Sequence, residues 1–305
     1  MKKISIIGAA GTLGATCAMT ISLAGSTDEL CLIDVNEALL DNHVMDLENA
    51  FPSKVIYRGS YEDLKGSQVI VITAGVPNRS EVTSRNAYLE DNIRVFNQIG
   101  EQIAKYAPKA IIVTASNPVD LLNYYLFKNF GFKRSQLIGY TLNDSLRFEW
   151  ALRGILELDQ KVTIYSPVIG EHGNSQVPIF SHVLQNDNRL PITNEQKRGI
   201  QERLEKWFVQ FNGLNVQRTT GWTTGVGIGQ MITQLLNDDI TFTTGSAILD
   251  GEYGIRGISI GTPIMINKEG IQSVIEWDLE PEERNAFNES AAKLKMIIEK
   301  NNHIF

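Results

Sequence analysis

His172 lies in Gly170-Glu171-His172-Gly173-Asn174-Ser175, a small, polar, glycine-flanked segment behind an apolar stretch, whereas His43, His182 and His303 lack such surroundings. An imidazole titrates near neutral pH, so one side chain can accept and return the same proton. Upstream, Asn143-Asp144-Ser145-Leu146-Arg147 opens a segment with helical spacing. Asp144 could fix a histidine tautomer and stabilise its cation, and Arg147 falls one turn along on the same face. A guanidinium fork grips a carboxylate with two hydrogen bonds, a geometry that an ammonium group does not reproduce. Oxidation of a 2-hydroxy acid makes matching demands: a base for the hydroxyl proton as hydride leaves C2, a cation for the carboxylate, and donors for the developing carbonyl. Spacing alone leaves a second reading open, an Asp–Arg surface pair with an unrelated turn histidine.

A hydride needs an acceptor. Gly8-Ala9-Ala10-Gly11-Thr12-Leu13-Gly14 stands between an apolar run and a helical pattern. Glycines there allow a tight turn and turn helix N-terminal N–H groups towards a pyrophosphate. The spacing is GxxGxxG in place of the commoner GxGxxG, and a glycine turn alone carries little. Leu30-Cys31-Leu32-Ile33-Asp34 adds context, ending a second apolar run with an acid 20 residues after Gly14. A carboxylate there accepts bonds from a ribose diol and repels a 2′-phosphate, favouring NAD over NADP. The alternative role for Asp34 is the N-cap of the helix that follows.

The elements that must position these residues alternate in the first half. Strands are predicted over 3–7, 30–33, 55–57, 69–73 and 111–114, and helices over 12–23, 35–50 and 86–106, the pattern of a parallel sheet covered on both faces. After residue 140 the pattern changes: helices over 142–156, 194–211, 227–236 and 280–299, with strands over 162–168 and 177–184, and further strands over 240–249, 257–261 and 263–266 that suggest antiparallel pairing. The expected fold class is therefore α/β, a doubly wound parallel-sheet dinucleotide-binding half (residues 1–140) followed by an α+β substrate half (residues 141–305). The chain has 305 residues, 43% hydrophobic and 21% charged, with a net charge of −7. That balance argues against nucleic-acid or anionic-membrane surfaces. No run approaches the roughly 20 apolar residues of a membrane-spanning helix, and no leader pattern is visible, which points to the cytoplasm. Cys17 and Cys31 are read as reduced structural thiols, and no metal-ligand spacing is apparent.

Over essentially its full length the chain resembles the L-lactate/malate dehydrogenase family. The resemblance rests on Gly8 to Gly14, Asp34, Met45-Asp46-Leu47, Ala74-Gly75, Ser116-Asn117-Pro118-Val119-Asp120, Asp144 with Arg147, and Gly170-Glu171-His172-Gly173, in the family's order and spacing. It implies that His172 is the proton acceptor, Asp144 its orienting carboxylate and Arg147 the carboxylate anchor. Asn117 would bond the substrate oxygen or the nicotinamide region, and Thr220 would line the substrate pocket. Gly8, Gly11, Thr12, Leu13, Gly14, Asp34, Thr73, Ala74, Gly75 and Asn117 would hold NAD. The loop after Gly75 would close over substrate and deliver Arg85 to polarise the carbonyl.

Substrate choice in similar enzymes turns on one loop position, where arginine reads the second carboxylate of malate. Counting forward from Ala74-Gly75 puts Asn78 there, and counting back from Arg85 puts Arg79 there. Gly173-Asn174-Ser175 resembles 2-hydroxyisocaproate dehydrogenases, so a lactate-like or branched 2-hydroxy acid is expected, with malate as the alternative. Glu149 stands where an arginine would bind fructose 1,6-bisphosphate, so no such activation is expected. A homo-oligomer, dimer or tetramer, is implied by the resemblance. Two other readings are weaker: a non-catalytic NAD sensor leaves Arg85, Asp144, Arg147 and His172 unexplained together, and an NAD- and metal-dependent glycosidase would want a metal-binding Cys/His pair, for which Cys17 and Cys31 lie too early, within the cofactor half.

Overall fold

Short, nearly continuous apolar runs are what strands buried on both faces require. The first half supplies them as β1 (Lys3–Ile7), β2 (Glu29–Ile33), β3 (Val55–Arg58), β4 (Val69–Ile72), β5 (Ile111–Thr114) and β6 (Leu137–Gly139). Between them run α1 (Thr12–Leu23), α2 (Glu37–Ala50), α3 (Leu89–Tyr106) and α4 (Val119–Phe130). The computed structural model describes residues 2–76, 89–214, 216 and 219–305. These strands pair in parallel in the order β3-β2-β1-β4-β5-β6, so the chain winds outwards from β1 in both directions. Alternation along β4 serves two cores: Ile70 and Ile72 join one cluster with α3 and α4, while Val69 and Val71 join another with α1.

The second half contributes α5 (Leu142–Ile155), β7 (Ile164–Tyr165), β8 (Val168–Gly170), β9 (Gln176–Pro178), β10 (Leu184–Gln185) and β11 (Asn188–Arg189). It continues with α6 (Asn194–Gly213), α7 (Gly221–Leu235), β12 (Thr241–Asp250), β13 (Arg256–Asn267), β14 (Gly270–Val274) and α8 (Pro281–Lys300). Its strands do not form a separate sheet throughout. β12 pairs antiparallel with β6 and leads on to β13, β8 and β9, so one sheet runs through both halves, while β7, β10 and β11 form a small second sheet. Parallel winding with an antiparallel extension is the fold class expected from the sequence.

Register places one residue row across this sheet. Ile33, Ile7, Ile72, Thr114, Gly139, Ser246, Gly261 and Gly170 are successive cross-strand partners. The residues expected to do chemistry stand just beyond that row: Asp34 after Ile33, Gly8 after Ile7, Thr73 after Ile72, Asn117 soon after Thr114, and His172 after Gly170.

Some elements differ from the sequence reading. α7 begins at Gly221, six residues earlier than expected, because its glycines are contact points. A Cβ at Gly225 would lie 2.4 Å from Thr16 Cγ2, and one at Gly229 would lie 3.2 Å from Thr20 Cβ. The Thr20 hydroxyl bonds the Gly225 carbonyl at 2.7 Å, so close helix contact outweighs poor helix propensity. The strands expected over 257–261 and 263–266 form one element, β13, and those expected over 162–168 and 177–184 are broken into short pieces. α4, β6 and β14 were not expected. α4 is buried along most of its length, which removes the amphipathic signature.

Candidate active site

The glycine turn is fixed onto the end of β2, with the Gly8 and Ala9 N–H groups donating to the Ile33 carbonyl at 2.8 and 3.1 Å. Gly8 has φ +92°, and a Cβ there would lie 2.4 Å from the Ala74 nitrogen. A Cβ at Gly14 would lie 2.2 Å from the Gly8 carbonyl oxygen, so these positions exclude any larger residue. Gly11 is exposed and has only one neighbour, at 3.6 Å, leaving the turn open on the side where a pyrophosphate would meet the N-terminus of α1. Thr12 and Leu13 begin that helix. Thr73 bonds the Gly8 carbonyl at 3.0 Å, placing the Thr73-Ala74-Gly75 backbone beside the turn.

Asp34 is partly exposed, and its carboxylate oxygens accept the Ala10 and Asn36 N–H groups, each at 2.9 Å. Helix α2 is capped by Asn36, whose side chain accepts the Leu39 N–H at 3.3 Å. The capping role considered for Asp34 is thus filled by another residue, and both Asp34 oxygens keep acceptor capacity for a diol. An open glycine turn beside a carboxylate fits a dinucleotide whose ribose carries no phosphate.

The second cluster is buried. Asp144 stands in the first turn of α5, and Arg147 lies one turn on. His172 follows β8, where Gly170, at φ +91°, turns the chain. Asp144 Oδ2 lies 2.6 Å from His172 Nδ1, and Oδ1 lies 3.2 Å from an Arg147 terminal nitrogen. Side-chain exposures of 4%, 8% and 12% for Asp144, His172 and Arg147 remove the surface-pair alternative. With Nδ1–H donated to the carboxylate, the ring's lone pair lies on Nε2, a tautomer assigned from this geometry. The Arg147 guanidinium also lies over the indole of Trp207 in α6, 4.3 Å from the ring centroid.

Surrounding polar groups bind the pieces together. The Asn92 side chain accepts the Val76 N–H and donates to the Asn117 carbonyl, both at 2.7 Å, and Ser116 Oγ donates to the Ala74 carbonyl at 2.6 Å. The segments after β4 and β5 are therefore held in register, with Asn117 exposed between them. Thr220 precedes α7 and takes a 3.4 Å contact from the Asn143 amide, which also donates to Thr224 at 2.6 Å. Glu171 accepts bonds from Ser175 and from Lys293 of α8. Asp120 accepts the main-chain N–H of His172 at 2.7 Å.

Asn92, Asn143, Trp207 and Lys293 went unassigned in the sequence reading, since their partners are distant in sequence and no local pattern marks them. Asn78, Arg79 and Arg85 lie outside the described residues. Cys17 and Cys31 are buried, and burial pushes the Cys17 thiol up to about 12, as suits an inert structural thiol. No helix among the described residues is long and apolar enough to cross a membrane.

Comparison with known proteins agrees with this geometry. Residues 2–139 match the NAD binding domain of lactate/malate dehydrogenase, and residues 141–304 match its alpha/beta C-terminal domain. A malate dehydrogenase of Halobacterium salinarum is 33% identical over 303 residues, covering 96% of this chain and 97% of its own. An L-lactate dehydrogenase of Bacillus cereus is 32% identical over 308 residues, covering 97% and 96%. The crystal structure of lactate dehydrogenase from Eimeria maxima with NADH and oxamate superposes with a TM-score of 0.90 at 25% identity, over 99% of this chain and 95% of that one. A glycine turn beside a carboxylate, a buried Asp–His–Arg cluster and matches along nearly the whole sequence have one common explanation: the chain belongs to the lactate/malate dehydrogenase family.

Proposed function

We propose that the protein is an NAD-dependent L-2-hydroxy acid dehydrogenase acting on lactate/pyruvate-like or branched monocarboxylic substrates. The observation that carries the reading is the buried Asp144 carboxylate shared between His172 and Arg147. In the oxidative direction His172 Nε2 takes the hydroxyl proton as C2 gives up its hydrogen with the electron pair and the C2–O bond becomes a carbonyl. Bound NAD supplies the acceptor for that hydride, and NADH the donor in reverse. Asp144 stabilises the imidazolium that forms, at 2.6 Å from its Nδ1. Arg147, one turn along α5 from Asp144 and 12% exposed, is the group proposed to fork the substrate carboxylate. Asn117 and Thr220 complete the pocket, and Arg85 polarises the carbonyl. Trp207 supports a monocarboxylic substrate by adding an apolar wall beside the anchor.

The alternative, malate dehydrogenase, is favoured by Arg79 when the loop is counted back from Arg85, and by relatives that carry that name. Initial rates of NADH oxidation with pyruvate, oxaloacetate and 2-oxoisocaproate separate the two. Monocarboxylates should dominate, and Arg79→Ala should leave their ranking unchanged. Dominance of oxaloacetate, removed selectively by that substitution, would establish malate as substrate. Turnover that resists a chelator and is lost in His172→Asn excludes the sensor and the metal-dependent glycosidase. We further propose a cytoplasmic homo-oligomer divided functionally at residue 140. Exposed Met19 and Leu23 on α1, Met45 on α2 and Val226 on α7 support self-association, which light scattering would measure.

A further inference from the structure

Two of the contacts that hold His172 lie on buried carboxylates, and the second of these has no assigned role. Its ring is fixed by Asp144, whereas its main-chain N–H donates to Asp120 Oδ2 at 2.7 Å. Asp120 lies in the first turn of α4, three residues after Asn117, and is 2% exposed. Its other oxygen accepts the hydroxyl of Ser246 on β12. Ser246 Oγ is 2.7 Å from Ser259 Oγ on β13, and the Asn123 amide donates to that hydroxyl at 3.0 Å. A buried polar chain thus joins the helix behind Asn117, the two long strands of the second half and the loop that carries the histidine.

A carboxylate is costly in such a place. No lysine or arginine is paired with it among the described residues. Burial pushes its carboxyl up to about 6, while the Ser246 hydroxyl and the His172 N–H hold it down. Two donors converge on this side chain, and an ionised carboxylate is acceptor-only at both oxygens. An amide would turn its own N–H groups towards one of them. An apolar side chain would leave the His172 N–H buried without a partner.

We propose that Asp120 is a positioning residue for catalysis, which fixes the His172 main chain relative to Asn117 so that Nε2 meets the substrate hydroxyl. The inference rests on His172 being the proton acceptor. The Glu171 N–H is held by Ser290 Oγ at 2.8 Å, and the Asp120 bond adds the main-chain contact at His172 itself; a displacement of about 1 Å at a reacting group costs on the order of 100-fold in rate. Asp144 sets the angle of the imidazole, and Asp120 sets its place.

The test compares Asp120→Ala, Asp120→Asn, Ser246→Ala and His172→Asn. It measures kcat and KM with the preferred 2-oxo acid, together with NADH affinity from its fluorescence. Asp120→Ala should lose on the order of 100-fold in kcat with NADH affinity unchanged. Asp120→Asn should recover most of that loss: its carbonyl can face the His172 N–H while the Ser246 hydroxyl rotates to donate to Ser259. Ser246→Ala should fall between them. Asp120→Ala within threefold of wild-type kcat would overturn the proposal, as would loss of NADH affinity in parallel with kcat. Should the alanine variant not fold, Asp120→Asn and Ser246→Ala decide alone. A kcat loss in Ser246→Ala at constant NADH affinity supports the proposal, and wild-type kcat in both overturns it. His172→Asn separates the two levels: if it keeps wild-type turnover, the reading of His172 itself is wrong.

Discussion

Replacing Asp144 by asparagine tests the central geometry, because the side chain keeps its shape and loses its charge. In the wild type its oxygens lie 2.6 Å from His172 Nδ1 and 3.2 Å from an Arg147 nitrogen. In the proposed mechanism the carboxylate matters most when His172 becomes a cation on accepting the substrate proton. Two unit charges about 4 Å apart interact by about 4 kcal/mol at the effective dielectric of about 20 suited to such sites. At about 1.4 kcal/mol per factor of ten, that corresponds to roughly a thousandfold loss in the hydride-transfer rate. The amide can also donate to Nδ1, which would leave the proton on Nε2 and block the accepting atom. Single-turnover oxidation of 2-hydroxy acid, followed at the NADH absorbance band, reads that step directly, with cofactor affinity as the control. A loss below tenfold at unchanged NADH affinity would refute the role of Asp144 in stabilising the imidazolium. Equal loss of turnover and cofactor binding would indicate damage to the fold.

Other substitutions probe separate parts of the site. Arg147→Lys keeps the charge but not the fork, so KM for the 2-oxo acid should rise at least tenfold while NADH affinity, measured by fluorescence, stays the same. Asp34→Ala should shift the ratio of kcat/KM for NAD to that for NADP towards NADP, and an unchanged ratio would remove its ribose role. Asp120 supplies a pH dependence of stability. Its folded value of about 6 exceeds the ordinary 3.8, so the folded state holds an extra proton in that window and stability falls as pH rises through it. The cost above pH 7 is about 3 kcal/mol. Asp120→Asn should therefore gain in urea stability over wild type between pH 4 and pH 7, with His172 and Glu171 as the other titratable groups facing the site. Adding fructose 1,6-bisphosphate should leave initial rates unchanged at neutral pH, where Glu149 is paired with Arg153 at 2.8 Å and presents an anion to any phosphate.

Much of this site was legible because its residues sit beside local punctuation. Gly8 and Gly170, at φ +92° and +91°, mark tight turns, and Asp34 and His172 follow apolar strands, so turn and strand signals located them together. Strands β1, β2, β4 and β5 were legible for the same reason: burial on both faces writes an unbroken apolar run. What escaped was set by distant contacts. α4 is buried nearly all round and so shows no stripe, and the start of α7 was hidden by glycines that serve contacts with Thr16 and Thr20. The partners of Asp120 lie 52 and 126 residues away, and the Trp207 ring meets Arg147 only because α6 folds back along α5.

The continuity of the sheet explains why those distant partners meet. β12 pairs with β6 at Ser246 and Gly139, and β13 pairs with β8 at Gly261 and Gly170, so the row that ends at Ile33 beside Asp34 also ends at Gly170 before His172. A cofactor half and a substrate half joined by a flexible linker would have to close on each other for every turnover. Here Asp34, the glycine turn and His172 stand on one hydrogen-bonded frame, and Asp120 ties the histidine loop to the helix that follows Asn117. The polar contacts that cross the frame hold His172 and Asn117 at a fixed separation.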